Sequence, residues 1–158
     1  MRAEYINPFI LGITTTFETM VDCPLTRGVP RLRGGDEVLH DVSGVIGMSG
    51  QAVGTVVLSL STSVALKAAS TMLMQEMTEI NADVIDAVGE LTNMVAGSAK
   101  SKLEELQLSI SLPTVITGEG HVVRFPSDVT PICIPFQSQW GPVKLEVCLA
   151  PVAVAVPV

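Results

Sequence analysis

Few residues in this sequence have a type and spacing that could do chemistry. His40 and His121 are the residue type most used as general base and metal ligand, but they lie far apart, one in a loop and one beside Gly120. Each reads as a solvated or capping histidine. The three cysteines, Cys23, Cys133 and Cys148, are odd in number and include no CxxC pair. A disulfide framework is not expected, and a zinc site would have to gather scattered ligands. All three read as buried thiols in a reducing cytosol. No GxSxG elbow, HExxH helix, P-loop or GxGxxG loop is present. What remains is Asp86, Glu90, Asn93 and Gly97. Glu90 and Asn93 are spaced i and i+3, so on a helix their side chains project together. Such a pair offers one negative charge beside an amide that both donates and accepts hydrogen bonds. Gly97, a turn further on, leaves bare backbone where another surface can approach closely, although a mid-helix glycine costs about 1 kcal/mol.

The element that must position them is a long helix expected over Asn81 to Leu106. At 100° per residue, Ile80, Val84, Val88, Leu91, Val95, Lys102 and Leu106 form the core stripe. Asp86, Glu90, Asn93, Gly97 and Glu104 fall on the opposite side. A solvated helix face carrying these residues by chance is the plain alternative. Ahead of it, Asn7-Pro8 predicts an N-cap and first turn for a helix over 8–21, with Phe9, Ile13, Phe17 and Met20 at helical spacing. A connector rich in Pro, Gly and Arg covers 22–41. The β-branched runs of 42–60 fold around Ser49-Gly50-Gln51 as a hairpin. A second helix follows over Ser63 to Gln75, and Thr78-Glu79-Ile80-Asn81 ends it and caps the next. Past Pro113, strands are expected near 114–117, 121–125, 129–137 and 143–149, with a turn at Gly141-Pro142. The order gives one domain over 1–158, an α+β fold with helices packed on a mostly antiparallel sheet.

Nine Lys+Arg against 16 Asp+Glu give a formal charge of −7, with 47% apolar residues. A chain so composed buries a core. It has no basic surplus for nucleic acid or anionic lipid. Residues 42–66 carry no charge, but four glycines and many Ser and Thr break the run, so no membrane span is expected. Arg2, Glu4 and Asn7 precede any apolar run, which does not fit a secretory signal. A cytoplasmic protein is expected.

Several segments, taken in order, resemble one family. They are Asn7-Pro8-Phe9, Asp41-Val-Ser-Gly44-Val-Ile-Gly47, Gly54-Thr-Val-Val-Leu-Ser, Asp86-Ala-Val-Gly-Glu90-Leu-Thr-Asn93-Met-Val-Ala-Gly97 and Leu112-Pro113-Thr-Val-Ile-Thr-Gly118. Together they look like the CheX family of chemotaxis phosphatases, relatives of CheC and FliY. That resemblance implies a CheC/CheX-like fold and removal of phosphate from the aspartyl-phosphate of a CheY-type response regulator. It implies that Glu90 docks on a regulator lysine, that Asn93 positions the attacking water, and that Asp86 and Gly97 shape the contact. An acyl phosphate is already activated, so holding water in line supplies most of what is needed. The Mg²⁺ that neutralises the phosphoryl oxygens would then belong to the regulator.

The resemblance also implies a homodimer joined through its sheets, for which the poorly charged strands near 114–136 are candidates. CheC carries two ExxN sites and CheX one. Here the second, Glu4 and Asn7, is compromised by Pro8, since Asn7 is expected to be spent as an N-cap. A non-catalytic binding or scaffolding relative, with Met72, Met74 and Met77 on a partner surface, stays open at this point, as does a small-ligand-binding domain.

Overall fold

The β-branched residues from Val42 to Leu60 pair with themselves. Strands β3 (Val42–Ser49) and β4 (Ala52–Leu60) form the expected hairpin. Its tip contains Gly50 at φ 149°, a conformation L-residues rarely adopt. The fold is that of a computed structural model describing residues 2–35, 37–125 and 129–153. Around the hairpin the sheet runs in the order 26–27, 132–138, 141–151, 52–60, 42–49 and 109–110, every pairing antiparallel. β7 (Ile132–Ser138) and β8 (Gly141–Pro151) complete its centre. One margin is built from the two-residue strands β1 (Thr26–Arg27) and β2 (Arg31–Leu32), both paired to β7. The other is built from β5 (Ser109–Ile110) and β6 (Thr114–Thr117), both paired to β3.

Three helices cover one face: α1 (Ala3–Val21), α2 (Thr62–Leu73) and α3 (Ala82–Ser101). The fold is therefore the expected α+β type. Phe9, Ile13 and Phe17 of α1, Val64 and Ala68 of α2, and Val84, Val88, Leu91 and Val95 of α3 are fully buried. Beneath them lie Ile46, Val56, Leu58, Leu145 and Val147 of the strands. The candidate membrane stretch 42–66 is this hairpin and the start of α2. Among the described residues no helix is long and apolar enough to cross a membrane.

Four expectations are corrected. First, α1 begins at Ala3, so Asn7 is not its cap and Pro8 lies inside it. An internal proline forfeits one backbone hydrogen bond and costs about 3 kcal/mol. Burying Tyr5 and Ile6, at about 1.5–3 kcal/mol for a large apolar side chain, offsets that.

Second, α3 stops at Ser101. A 3₁₀ turn over Glu104–Leu106 follows, with Gln107 at φ 46°. The turn folds Leu103, Leu106 and Leu108 back into the core, which a continuing helix would carry away. Glu104 is thus off α3, as are Ile80, Lys102 and Leu106.

Third, 121–125 is not a strand. Its polar groups are spent elsewhere: the His121 carbonyl accepts from Leu39 N at 3.0 Å and the Val123 carbonyl from Arg33 Nη1 at 2.6 Å. Fourth, the β7–β8 turn is at Gln139 and Trp140, and Gly141 already belongs to β8. Asn81 does cap α3, its side chain accepting from Val84 N at 3.0 Å.

Candidate functional site

α3 sits against the sheet through Thr92. The side chain of Thr92 is buried and its hydroxyl donates to the Val88 carbonyl at 2.8 Å. It lies over Gly44 of β3, where a Cβ would stand 2.8 Å from Thr92 Cβ. Contact this close fixes both the height and the rotation of the helix. With Thr92, Val88 and Val95 turned inward, the opposite side must look outward. There the structure places all four expected residues. Asp86 and Glu90 are exposed, and Asn93 and Gly97 are half-exposed.

Among the described residues, neither Glu90 nor Asn93 makes a side-chain hydrogen bond or ion pair. A Cβ on Gly97 would meet nothing within 4 Å. An acid, an uncommitted amide and bare backbone are thus presented together on a rigid helix. Such an arrangement can hold a cation, orient a water molecule and accept a closely approaching surface. Glu104, expected on the same face, instead lines a cavity of about 500 Å³ with Gly97, Lys100, Leu108 and Ile110 at the foot of the helix.

The second ExxN pair is placed differently. Asn7 is exposed on α1 and is not consumed by capping, while Glu4 pairs with Arg2 at 2.9 Å. The histidines are structural. His121 Nδ1 reaches the Gly118 carbonyl at 2.8 Å, so it carries the proton, and Nε2 reaches Ser43 Oγ at 2.7 Å. Ser43 in turn bonds Ser59 at 2.9 Å. His40 is half-buried, and that burial lowers its pKa. The cysteines are free and buried as expected, and burial pushes the Cys133 thiol up to about 11, which keeps it protonated and inert. Of the three methionines weighed for a partner surface, Met74 is exposed, Met72 half-buried and Met77 buried.

Sequence reasoning missed a charged layer on the sheet face away from the helices. Glu146 of β8 is fully buried and pairs with Arg33 at 3.1 Å. Lys144 Nζ reaches Glu37 at 2.9 Å, and Arg31 also pairs with Glu37. Burial raises the pKa of Glu146. The hydrogen bond from Arg31, helped by Lys144, holds Glu37 down at about 2. The signal in the sequence was Arg31 and Arg33, two cations close together in an acidic chain. Among the described residues no group of three or more His, Cys, Asp or Glu could hold a metal ion.

Comparison with known proteins identifies the family. A family model described as chemotaxis phosphatase CheX matches residues 42–137. The chain belongs to the CheX family of chemotaxis phosphatases. A CheX relative, the CheY-P phosphatase CheX of Thermotoga maritima, is 32% identical over 139 residues, covering 82% of this chain and 90% of that one. The crystal structure of chemotaxis protein CheX from Vibrio vulnificus superimposes with a TM-score of 0.86 at 37% identity, covering 93% of this chain and 99% of that one. A CheC-like superfamily protein from Shewanella sp. PV-4 gives 0.87 at 34% identity, with 94% and 99% covered. The CheX match takes in α3, the 3₁₀ turn and the strands that frame them, so the exposed acid–amide face lies inside the shared region.

Proposed function

We propose that this protein hydrolyses the aspartyl-phosphate of a CheY-type response regulator, with Glu90 docking on a regulator lysine and Asn93 holding the attacking water. The single observation carrying this reading is the state of Asn93. Its amide stands half-exposed on α3 with no partner among the described residues, one turn from an exposed carboxylate. A protein that inserts an amide into another protein's cleft needs that amide uncommitted beforehand. The activity of the Thermotoga maritima relative supports the choice of substrate.

The mechanism needs no strong base. The phosphoryl group leaves through a loose transition state, so in-line orientation of water is the principal task. A neutral amide performs it without pressing negative charge on the phosphoryl oxygens. Asp86 and Gly97 shape the contact, the one by charge and the other by admitting close backbone approach. Mg²⁺, supplied by the regulator, would neutralise the oxygens.

We place the protein in the cytoplasm, where such regulators work, as a homodimer joined at the outer edge of β6. That strand pairs with β3 alone among the described strands, and a bare edge accepts another. β7, the other part of the expected 114–136 region, lies between β8 and the short β1 and β2 and has no edge to offer.

The test is phosphate release from a phosphorylated receiver domain, with and without this protein. Asn93→Ala is expected to lower kcat by about 10²-fold or more, the scale seen when one orienting or stabilising donor is lost, with an unchanged circular dichroism spectrum. A receiver that binds the wild-type protein yet loses phosphate no faster would instead indicate a scaffolding module.

A further inference from the structure

We infer that Leu112, with the recess beside Gly97, is an apolar anchor for the same receiver domain, set at the edge of the acid–amide pair; this rests on the docking reading above. Leu112 is 88% exposed. A leucine so placed gains nothing from folding and offers its apolar surface to a partner. It is also held stiffly. Leu112 lies between β5 and β6, in a link pinned on both sides. Ser111 N donates to the Gly47 carbonyl at 2.9 Å, and Gly47 N donates to Ser111 Oγ at 2.9 Å. The next residue, Pro113, packs on α3, where its Cγ stands 3.4 Å from the position of a Cβ on Gly89.

Gly89, Asn93 and Gly97 follow one another at four-residue steps, hence along one stripe of α3. The link carrying Leu112 therefore meets the Gly89 end of that stripe, one turn from Asn93. At the Gly97 end is the cavity of about 500 Å³ shared with Lys100, Leu108 and Ile110. Ile110 is only two residues before Leu112, so one short segment supplies apolar side chains to both ends. The polar pair is thus flanked by apolar surface, the arrangement in which a buried anchor excludes water around a charged contact.

Charge narrows the occupant. Asp86 and Glu90 on this face, with Glu104 in the recess, outnumber Lys100 there, in a chain of net charge −7, so the surface favours a cationic group. A second copy docked on this face, as opposed to one joined at β6, would bring the same two carboxylates. A receiver domain that presents its lysine to Glu90, with an apolar side chain on the rim of its phosphorylation cleft, satisfies both requirements.

The experiment is steady-state phosphate release from a CheY-type receiver domain charged with phosphoramidate, comparing Leu112→Ser, Leu112→Met, Gly97→Leu and Asn93→Ala. Leu112→Ser is expected to raise KM about tenfold and leave kcat within twofold, the behaviour of a truncated anchor. Leu112→Met should restore KM, and Gly97→Leu, which fills the recess, should raise it. A KM unchanged by Leu112→Ser overturns the inference, and so does a fall in kcat like that of Asn93→Ala. Loss of dimer in sedimentation with KM unaltered overturns it too, by assigning Leu112 to self-association. If Asn93→Ala keeps the wild-type rate while Leu112→Ser raises KM, the anchor stands and the catalytic assignment fails.

Discussion

Gly44 of β3 lies directly beneath Thr92 of α3, so close that a methyl group on its α-carbon would fall 2.8 Å from Thr92 Cβ and nearer still to the hydroxyl. Thr92 precedes Asn93 in the chain, so this contact sets where the amide emerges. Gly44→Ala must push the helix off the sheet or twist it. Overpacking of this kind costs about 1–3 kcal/mol, and for a chain of this size each kcal/mol lowers Tm by about 2–4 °C. Calorimetry should find the drop, and phosphatase activity should fall by more than the lost stability accounts for.

Glu90 and Asn93 should separate kinetically. On the proposed docking role, Glu90 would meet the receiver in ground state and transition state alike, so its loss would weaken uniform binding. Glu90→Ala is expected to raise KM about tenfold at low ionic strength with little change in kcat, an effect that shrinks as salt screens the docking charge. A salt-independent fall in kcat would contradict the docking role.

The buried pair Arg33–Glu146 is predicted to be costly to break and cheap to replace. Arg33→Met leaves the fully buried Glu146 carboxylate without its cation, and removing one partner of a buried pair costs about 3–5 kcal/mol. The double variant Arg33→Met/Glu146→Leu should regain most of that in chemical denaturation. Because the pair lies across the sheet from α3, the double variant should keep its phosphatase activity.

Glu37 should dominate the acid side of the stability profile. Its folded pKa of about 2 lies below the ordinary value of 4.5, chiefly through Arg31. A carboxyl lowered on folding contributes stability that is complete above the unfolded value and is lost as pH falls through the folded one. The loss therefore belongs between 4.5 and 2. Glu146 is shifted the other way, so its own window lies above the ordinary carboxylate value and does not overlap. Urea midpoints against pH should flatten in the lower window for Glu37→Gln.

How much of this was legible beforehand follows from how local each signal is. Asn81 caps α3 because a side-chain oxygen three residues from Val84 N can reach it with no help from the rest of the fold. The hairpin over 42–60 and the outward face of α3 follow in the same way from periods of two and 3.6 residues. Asn7 misled because a cap is also a local signal, and the burial of Tyr5 and Ile6 overrode it from a distance. Glu146 was passed over because alternation along Val143-Lys-Leu-Glu-Val assigns it to the opposite side of the sheet from the core. That assignment is correct, but that side is covered too.

By itself, then, the sequence determined the α+β class, the family and the four residues of the α3 face, since each depends on short periodicities and ordered motifs. Only the tertiary structure decided three things. It ended α3 at Ser101 and moved Glu104 into a recess. It buried Arg33 against Glu146 under the second side of the sheet. It packed Pro113, from a link between two short strands, against Gly89 of α3. All three depend on which surfaces meet across long stretches of chain, and burial energy acts on proximity in space, which no spacing along the chain encodes.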